Sequence, residues 1–323
     1  MKTKIKEMNR REFLKVTTTA TVAAGMFTSF MLNSNMLYAL TDNSVSDLEM
    51  MQKTIKKDFF KVACSGALFQ YLNRHYGYPK DDESFAVASL SGGIMQKGYQ
   101  CGMLWGSTLA VGAESYRRYK NSGKAIYGSI NAAQHLMKSF SKRAKCIYCR
   151  DITGVEWSEK YSIPKYLLKG GVFICMNLAK KWAAEAVKSG EEGLSLDQTN
   201  YSQMPLSCAS EVAKKMGASD EEIIMVSGLA GGMGLSGNAC GALATAVLLK
   251  SLEWYKEHPE SKNESKEMYN PYAKNSLDKF LNLTNSEMLC HKICGKQFKS
   301  VEAHTEFIKN NGCRKLIDTI AES

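Results

Sequence analysis

A glycine- and cysteine-marked stretch that occurs twice constrains this chain more than any other feature. Residues 90–106 read L-S-G-G-I-M-Q-K-G-Y-Q-C-G-M-L-W-G, and residues 229–245 read L-A-G-G-M-G-L-S-G-N-A-C-G-A-L-A-T. Over Leu90–Gly102 and Leu229–Gly241 the copies agree at six of thirteen positions without a gap. Leu90 matches Leu229; the other five matches are Gly92/Gly231, Gly93/Gly232, Gly98/Gly237, Cys101/Cys240 and Gly102/Gly241. Core packing does not demand such residues. Glycine is kept where the backbone turns to positive φ or something approaches it closely, and cysteine is kept for its reactivity. Each copy therefore reads as a cysteine held at a glycine bend, with an apolar helix behind it.

The flanking sequence repeats the same order. A helix over 62–73, starting near Cys64, stops at Gly77 and Pro79; a helix carrying Cys208 follows Pro205 and stops at Gly217. Acidic starts, Asp81-Asp82-Glu83 and the capping box Ser219-Asp220-Glu221-Glu222, open the short helices that lead into each bend. Cys101 and Cys240 then open long helices, to about Tyr119 and about Glu257. Further helices are expected over 124–140, near 171–188 after a loop with Pro164, near 274–288, near 301–310 and around Cys313. Ser46-Asp47-Leu48-Glu49 reads as a capping box at the start of the first mature helix. No strand pattern of any length is present. The expected fold is all-α: two tandem copies of a helical cysteine-bearing unit, residues 46–190 and 200–323, packed as a pseudo-dimer.

The ten cysteines divide evenly. Cys64, Cys101, Cys146, Cys149 and Cys175 fall in the first repeat, and Cys208, Cys240, Cys290, Cys294 and Cys313 in the second. The spacings Cys146-x-x-Cys149 and Cys290-x-x-x-Cys294 are those of ligand pairs. Of five histidines, His258 and His304 lie in polar stretches and are expected at the surface, while His75 and His135 read as packed or surface residues. Trp105 and Trp157 read as core. Gly232-x-Gly234-x-x-Gly237 has the form of a dinucleotide fingerprint, but it follows a helix, and the first copy has Met95 at the middle glycine.

Residues 9–15, Asn-Arg-Arg-Glu-Phe-Leu-Lys, precede an Ala- and Thr-bearing, weakly apolar run to about Leu40. This is the pattern of a twin-arginine export signal over residues 1–40, to be read by the twin-arginine translocase. It implies a periplasmic or otherwise extracytoplasmic protein, tethered to the membrane if the signal is not cleaved. That route carries folded proteins, which suits one that receives a cofactor before export. The net charge is +10, of which residues 1–40, with six Lys/Arg and two Asp/Glu, contribute +4. The remainder forms no basic block, so nucleic acid is not an expected partner.

At these residues the chain resembles the C-GCAxxG-C-C family of redox-active proteins, which carries an early Cys, a Cys-Gly-Ala-x-x-Gly element behind a glycine bend, and two later cysteines. Cys240-Gly241-Ala242-Leu243-Ala244-Thr245 matches with Thr for the last Gly, and Cys101-Gly102-Met103-Leu104-Trp105-Gly106 with Met for Ala. Cys149 and Cys175 look like the later cysteines of the first copy, and Cys294 and Cys313 like those of the second; Cys146 and Cys290 are then additional. The chain also looks similar to split-Soret cytochrome c, which implies an iron–sulfur cluster. Covalent haem is not implied, because Cys146-Ile-Tyr-Cys149 is followed by Arg150 where haem attachment requires His.

Together these features lead to an exported electron-transfer protein. All ten cysteines are candidate ligands of [2Fe–2S] or [4Fe–4S] clusters, and Gly92, Gly93, Gly98, Gly102, Gly231, Gly232, Gly237 and Gly241 would bring backbone N–H groups to the cofactor. A metal-free thiol–disulfide protein, a disulfide-stapled binding or scaffold protein, and structural zinc use the same residues and stay open. The electron partner is not specified, self-association into a homo-oligomer is left open, and no catalytic set is present.

Overall fold

The computed structural model describes residues 45–195, 204–263 and 270–322, without the side chains of 45–53 and 263. The export signal over 1–40 and the side chains of the Ser46–Glu49 capping box lie outside the described residues. The chain divides into Met1–Glu49 and Met50–Ser323, and the second unit holds both repeats.

Helix α1 (Val45–His75) breaks at Val62 and Ala63, where Ala63 adopts φ 53° and ψ −168°, so that Cys64 starts a fresh helical segment. Few residues other than glycine adopt that conformation, and it sits next to the first cysteine. The segment ends at Gly77 with φ +77°. Helix α2 (Glu83–Val87) and a 3₁₀ turn (Ala88–Leu90) lead into the first bend. Helix α3 (Gly102–Tyr119) follows, buried on nearly every side, as the centre of its repeat. Ser122 caps helix α4 (Gly123–Ala144) by accepting from the Ala125 N–H. A short α5 (Cys149–Thr153), α6 (Ser162–Leu168) and the long α7 (Gly171–Leu194) complete the repeat. Pro164 is not in a loop: it occupies the first turn of α6, where its missing N–H has no helical partner to lose.

The second repeat runs α8 (Cys208–Lys215), α9 (Asp220–Met225), a 3₁₀ turn (Ser227–Leu229), α10 (Gly241–Glu257), α11 (Pro271–Leu283), α12 (Cys290–Ile293), α13 (Val301–Lys309) and α14 (Arg314–Ala321). The capping box at Ser219 and Glu222 is fully formed. The described residues contain no strand, and their two isolated antiparallel bridges, Gln100 with Tyr148 and Ala239 with Leu289, hold equivalent places in the repeats.

The repeats dock crosswise. The central helix of each packs on the short acidic helix of the other, α3 on α9 and α10 on α2. At Gly112 of α3 an added Cβ would lie 2.2 Å from the Met225 carbonyl oxygen, so the backbones nearly touch there. The two bends meet at Gln100, whose buried amide donates to the Gly232 carbonyl (3.2 Å) and accepts from the Ala239 N–H (3.0 Å). A buried amide bonded through both its nitrogen and its oxygen fixes how one repeat seats on the other. No helix among the described residues is long and apolar enough to cross a membrane.

Candidate redox centres

Backbone hydrogen bonds set the register between the repeats. The Cys101 N–H donates to Ile147 O and the Cys149 N–H to Tyr99 O; the Cys240 N–H donates to Met288 O and the Cys290 N–H to Asn238 O. Cys149 is therefore the counterpart of Cys290, not of Cys294. The glycines that end α5 and α12, Gly154 (φ +62°) and Gly295 (φ +69°), keep this register. It places Thr153 opposite Cys294, Trp157 opposite Phe298, Tyr166 opposite Phe307, Val172 opposite Cys313 and Cys175 opposite Leu316. Each of these residues lines the cavity of its own repeat, Thr153 against Cys294 included. Three cysteines are thus shared: Cys64/Cys208, Cys101/Cys240 and Cys149/Cys290. Beyond them the first repeat adds Cys175 and the second adds Cys294 and Cys313, at positions that are not equivalent.

Cys146 stands apart. It is half-buried, its thiol donates to the Ala144 carbonyl (3.6 Å), and its register counterpart is Glu287. It shares its sequence spacing with Cys149 but not its surroundings.

In the first repeat Cys64, Cys149 and Cys175 border a mainly apolar cavity of about 280 Å³, and Cys101 stands behind Cys64. All four are buried. Cys64 and Cys101 share a hydrogen bond: the Cys101 thiol holds Cys64 down to about 7, with help from Ser91 and the Gly92 N–H, and the same bond together with burial pushes Cys101 far up. Burial raises Cys149 and lifts Cys175 to about 12. Once Cys64 is ionised its charge raises Cys101, Cys149 and Cys175, so several thiolates can coexist only around a cation. The cavity wall adds residues that the sequence reading overlooked. Trp157, read as core, turns its buried indole N–H toward the Cys149 sulfur, with no oxygen or nitrogen acceptor. The Tyr166 hydroxyl bonds Cys175, and the Cys64 thiol donates to Ser91 Oγ at 3.6 Å. Trp105, by contrast, is core, its indole N–H donating to Gln100 O (2.9 Å).

The glycines of the two bends divide by task. Gly92 and Gly231, at φ +68° and +59°, present their N–H groups to Cys64 and Cys208. Gly102 leaves room for a sulfur, since a Cβ there would lie 2.5 Å from Cys64 Sγ. Gly93, Gly98, Gly232, Gly237 and Gly241 face backbone or non-sulfur side chains; a Cβ on Gly241 would fall 1.8 Å from Leu229 O. They shape the bend, and Gly241 also lines the cavity of the second repeat.

In the second repeat Cys208, Cys240, Cys290, Cys294 and Cys313 converge on a cavity of only about 10 Å³, room for one water at most. Burial raises Cys208 and lifts Cys240 to about 12. The sulfurs of Cys294 and Cys313 are 3.4 Å apart, and those of Cys290 and Cys294 3.8 Å. Among the described residues, no three His, Cys, Asp or Glu side chains are arranged to hold a single metal ion.

His304 also lines this cavity, and the expectation that it is exposed is corrected: it is 1 % exposed, with its ring Nδ1 3.0 Å from Leu206 O. Its charged neighbours in sequence, Glu302 and Glu306, lie exposed on the outer face of α13, while Thr305 is buried beside it. His258 is half-buried and stacks on Trp254 at 3.8 Å. Burial lowers His304 to about 4. A histidine that resists protonation in the folded state favours unfolding once the unfolded chain takes up the proton. Its stability contribution is therefore intact above about pH 6.5 and lost as pH falls toward 4, about 3 kcal/mol in all. Urea titrations at pH 7 and pH 4.5 should show that loss, and His304→Gln should remove most of the difference.

A family model with the description "Putative redox-active protein (C_GCAxxG_C_C)" matches residues 62–188 and again 205–323. No curated protein and no solved structure matches the chain. The two matches cover most of the molecule and follow the two repeats, so the chain belongs to the C_GCAxxG_C_C family of redox-active proteins, as a tandem duplicate.

Proposed function

We propose that the first repeat holds a cysteine-ligated iron–sulfur cluster through Cys64, Cys101, Cys149 and Cys175, and that the protein transfers electrons after export by the twin-arginine route. One observation carries the reading: three buried thiols from separate stretches line a cavity of about 280 Å³, a fourth, Cys101, stands behind Cys64, and the wall offers an indole N–H without an oxygen or nitrogen acceptor. The donor set fits the group, because thiolates that repel one another in an apolar wall are stabilised by iron. When bound, such a cluster supplies reversible one-electron chemistry. The protein's own contribution is to exclude water and to direct hydrogen bonds at sulfur from the Gly92 N–H, Trp157 and Tyr166, which tune the potential. Export is supported by Arg10-Arg11 and the run that follows. Cys208, Cys240 and Cys290 occupy the shared positions of the second repeat, where a second centre would need Cys294 or Cys313 as fourth ligand.

The test is anaerobic purification with iron and sulfide assays. Matching iron and sulfide, with broad visible absorption that bleaches on reduction, is the expected result. A colourless, iron-free, folded protein from iron-replete anaerobic cells would overturn it in favour of thiol–disulfide chemistry.

A further inference from the structure

The second cysteine set is not a copy of the first. Its two additional cysteines stand where the first repeat has Thr153 and Val172, and they touch each other. Cys294 follows α12 as its C-cap, and Cys313 precedes α14 in the left-handed conformation, φ +57°. Both are half-buried, while Cys208, Cys240 and Cys290 beneath them are buried. Both also line an outer groove of about 560 Å³ rimmed by Lys292, Arg314 and Lys315. A small reagent can therefore reach this pair from solvent, and the cavity below it measures only about 10 Å³.

We propose that Cys294 and Cys313 form a dithiol–disulfide couple peculiar to the second repeat, exchanging with small disulfides through the outer groove. The thiolate of one cysteine attacks a sulfur of the disulfide R–S–S–R, forms a mixed disulfide and expels RS⁻, which takes up the proton lost. The thiolate of the other then attacks the protein-bound sulfur, closes the Cys294–Cys313 bond and expels the second RS⁻. Two protein thiols are oxidised by two electrons, and the disulfide is reduced to two thiols. The sulfurs, at 3.4 Å, need to approach by about 1.4 Å to reach bonding distance. Cys290 is the competing partner, but it is deeper and lies 3.8 Å from Cys294. The mutual hydrogen bond and burial keep the Cys313 thiol protonated, so a redox equilibrium is the measurement of choice and a rate is not. This inference does not rest on the cluster of the first repeat.

The full chain would be equilibrated anaerobically with oxidised glutathione or with reduced dithiothreitol, quenched in acid, denatured, alkylated and digested with trypsin. Trypsin separates all three cysteines: Cys290 lies in a peptide ending at Lys292, Cys294 in 293–296, and Cys313 in 310–314. The expected result is peptide 293–296 joined to 310–314, with two fewer alkylated thiols, reversed by dithiothreitol. Alkylation of both cysteines after oxidation, separate glutathione adducts, or a Cys290–Cys294 link would overturn the proposal. Iron content should be equal in the two forms; iron lost as the bond closes would make the pair cluster ligands and overturn it too. Cys64→Ser should lose iron and keep the linked peptide, so failure of the cluster reading is separable from failure of this one.

Discussion

Gly106→Ala is expected to abolish stable folding. A Cβ at Gly106 would lie 1.9 Å from the Ser65 carbonyl oxygen and 3.1 Å from the Phe69 backbone nitrogen, inside the covalent skeleton of the neighbouring helix. No side-chain rotation relieves such a clash; α3 has to move off the segment that begins at Cys64. Both are fully buried there, so the movement opens the core of the first repeat. A cost above about 4 kcal/mol follows, against a total stability of about 5–15 kcal/mol for an ordinary domain. Gly77→Ala is the control. Gly77 has φ +77° but nothing within 4 Å of its missing Cβ, so it should lose about 1 kcal/mol for backbone strain alone. Urea midpoints for the two variants compare them directly, and a Gly106→Ala protein no less stable than Gly77→Ala would refute the close crossing. The second repeat has a buried Thr245 at the equivalent position, so this crossing belongs to the first repeat.

What the sequence disclosed and what it hid follow from the range of each signal. Helix starts marked by local chemistry, such as Ser219 with Glu222, were legible because a cap is satisfied within four residues. The break before Cys64 was legible from the pattern as well. Helix α6 was hidden because Pro164 looks like a breaker unless it is known to sit in a first turn. His304 was misjudged because polarity averaged along the chain ignores which side of a helix a residue occupies. The cysteine register failed for a different reason. Cys146–Cys149 and Cys290–Cys294 look alike as spacings, and the resemblance set Cys146 aside but matched Cys149 to Cys294; the pairing of Cys149 and Cys290 with the two bends, a contact made across some fifty residues, is what shows these two to be equivalent. Gly154 and Gly295, five residues beyond the paired cysteines, held the missing clue. Trp157 and Tyr166 carried no local signal at all, and their role emerges from packing against Cys149 and Cys175.

That register leads to the sharpest test of the first centre. Cys149→Ser should cost the first repeat its iron, about tenfold or more, while Cys146→Ser should leave iron, sulfide and visible spectrum at wild-type levels. The two cysteines are three residues apart and belong to one apparent motif, so any reading from spacing alone expects equal losses. The structure separates them: Cys149 opens α5 as a buried thiol on the cavity wall beside Trp157, whereas Cys146 is half-buried and its thiol donates to the Ala144 carbonyl. Serine keeps the size of cysteine and can still accept the indole N–H, so the fold should survive and the loss report on ligation. Circular dichroism of both variants checks that premise. Trp157→Phe gives an intermediate case, in which iron is retained and the reduction potential falls, because a hydrogen bond to ligand sulfur that stabilises the reduced centre is gone. Equal iron loss in Cys146→Ser and Cys149→Ser would overturn the assignment of Cys64, Cys101, Cys149 and Cys175 as one set.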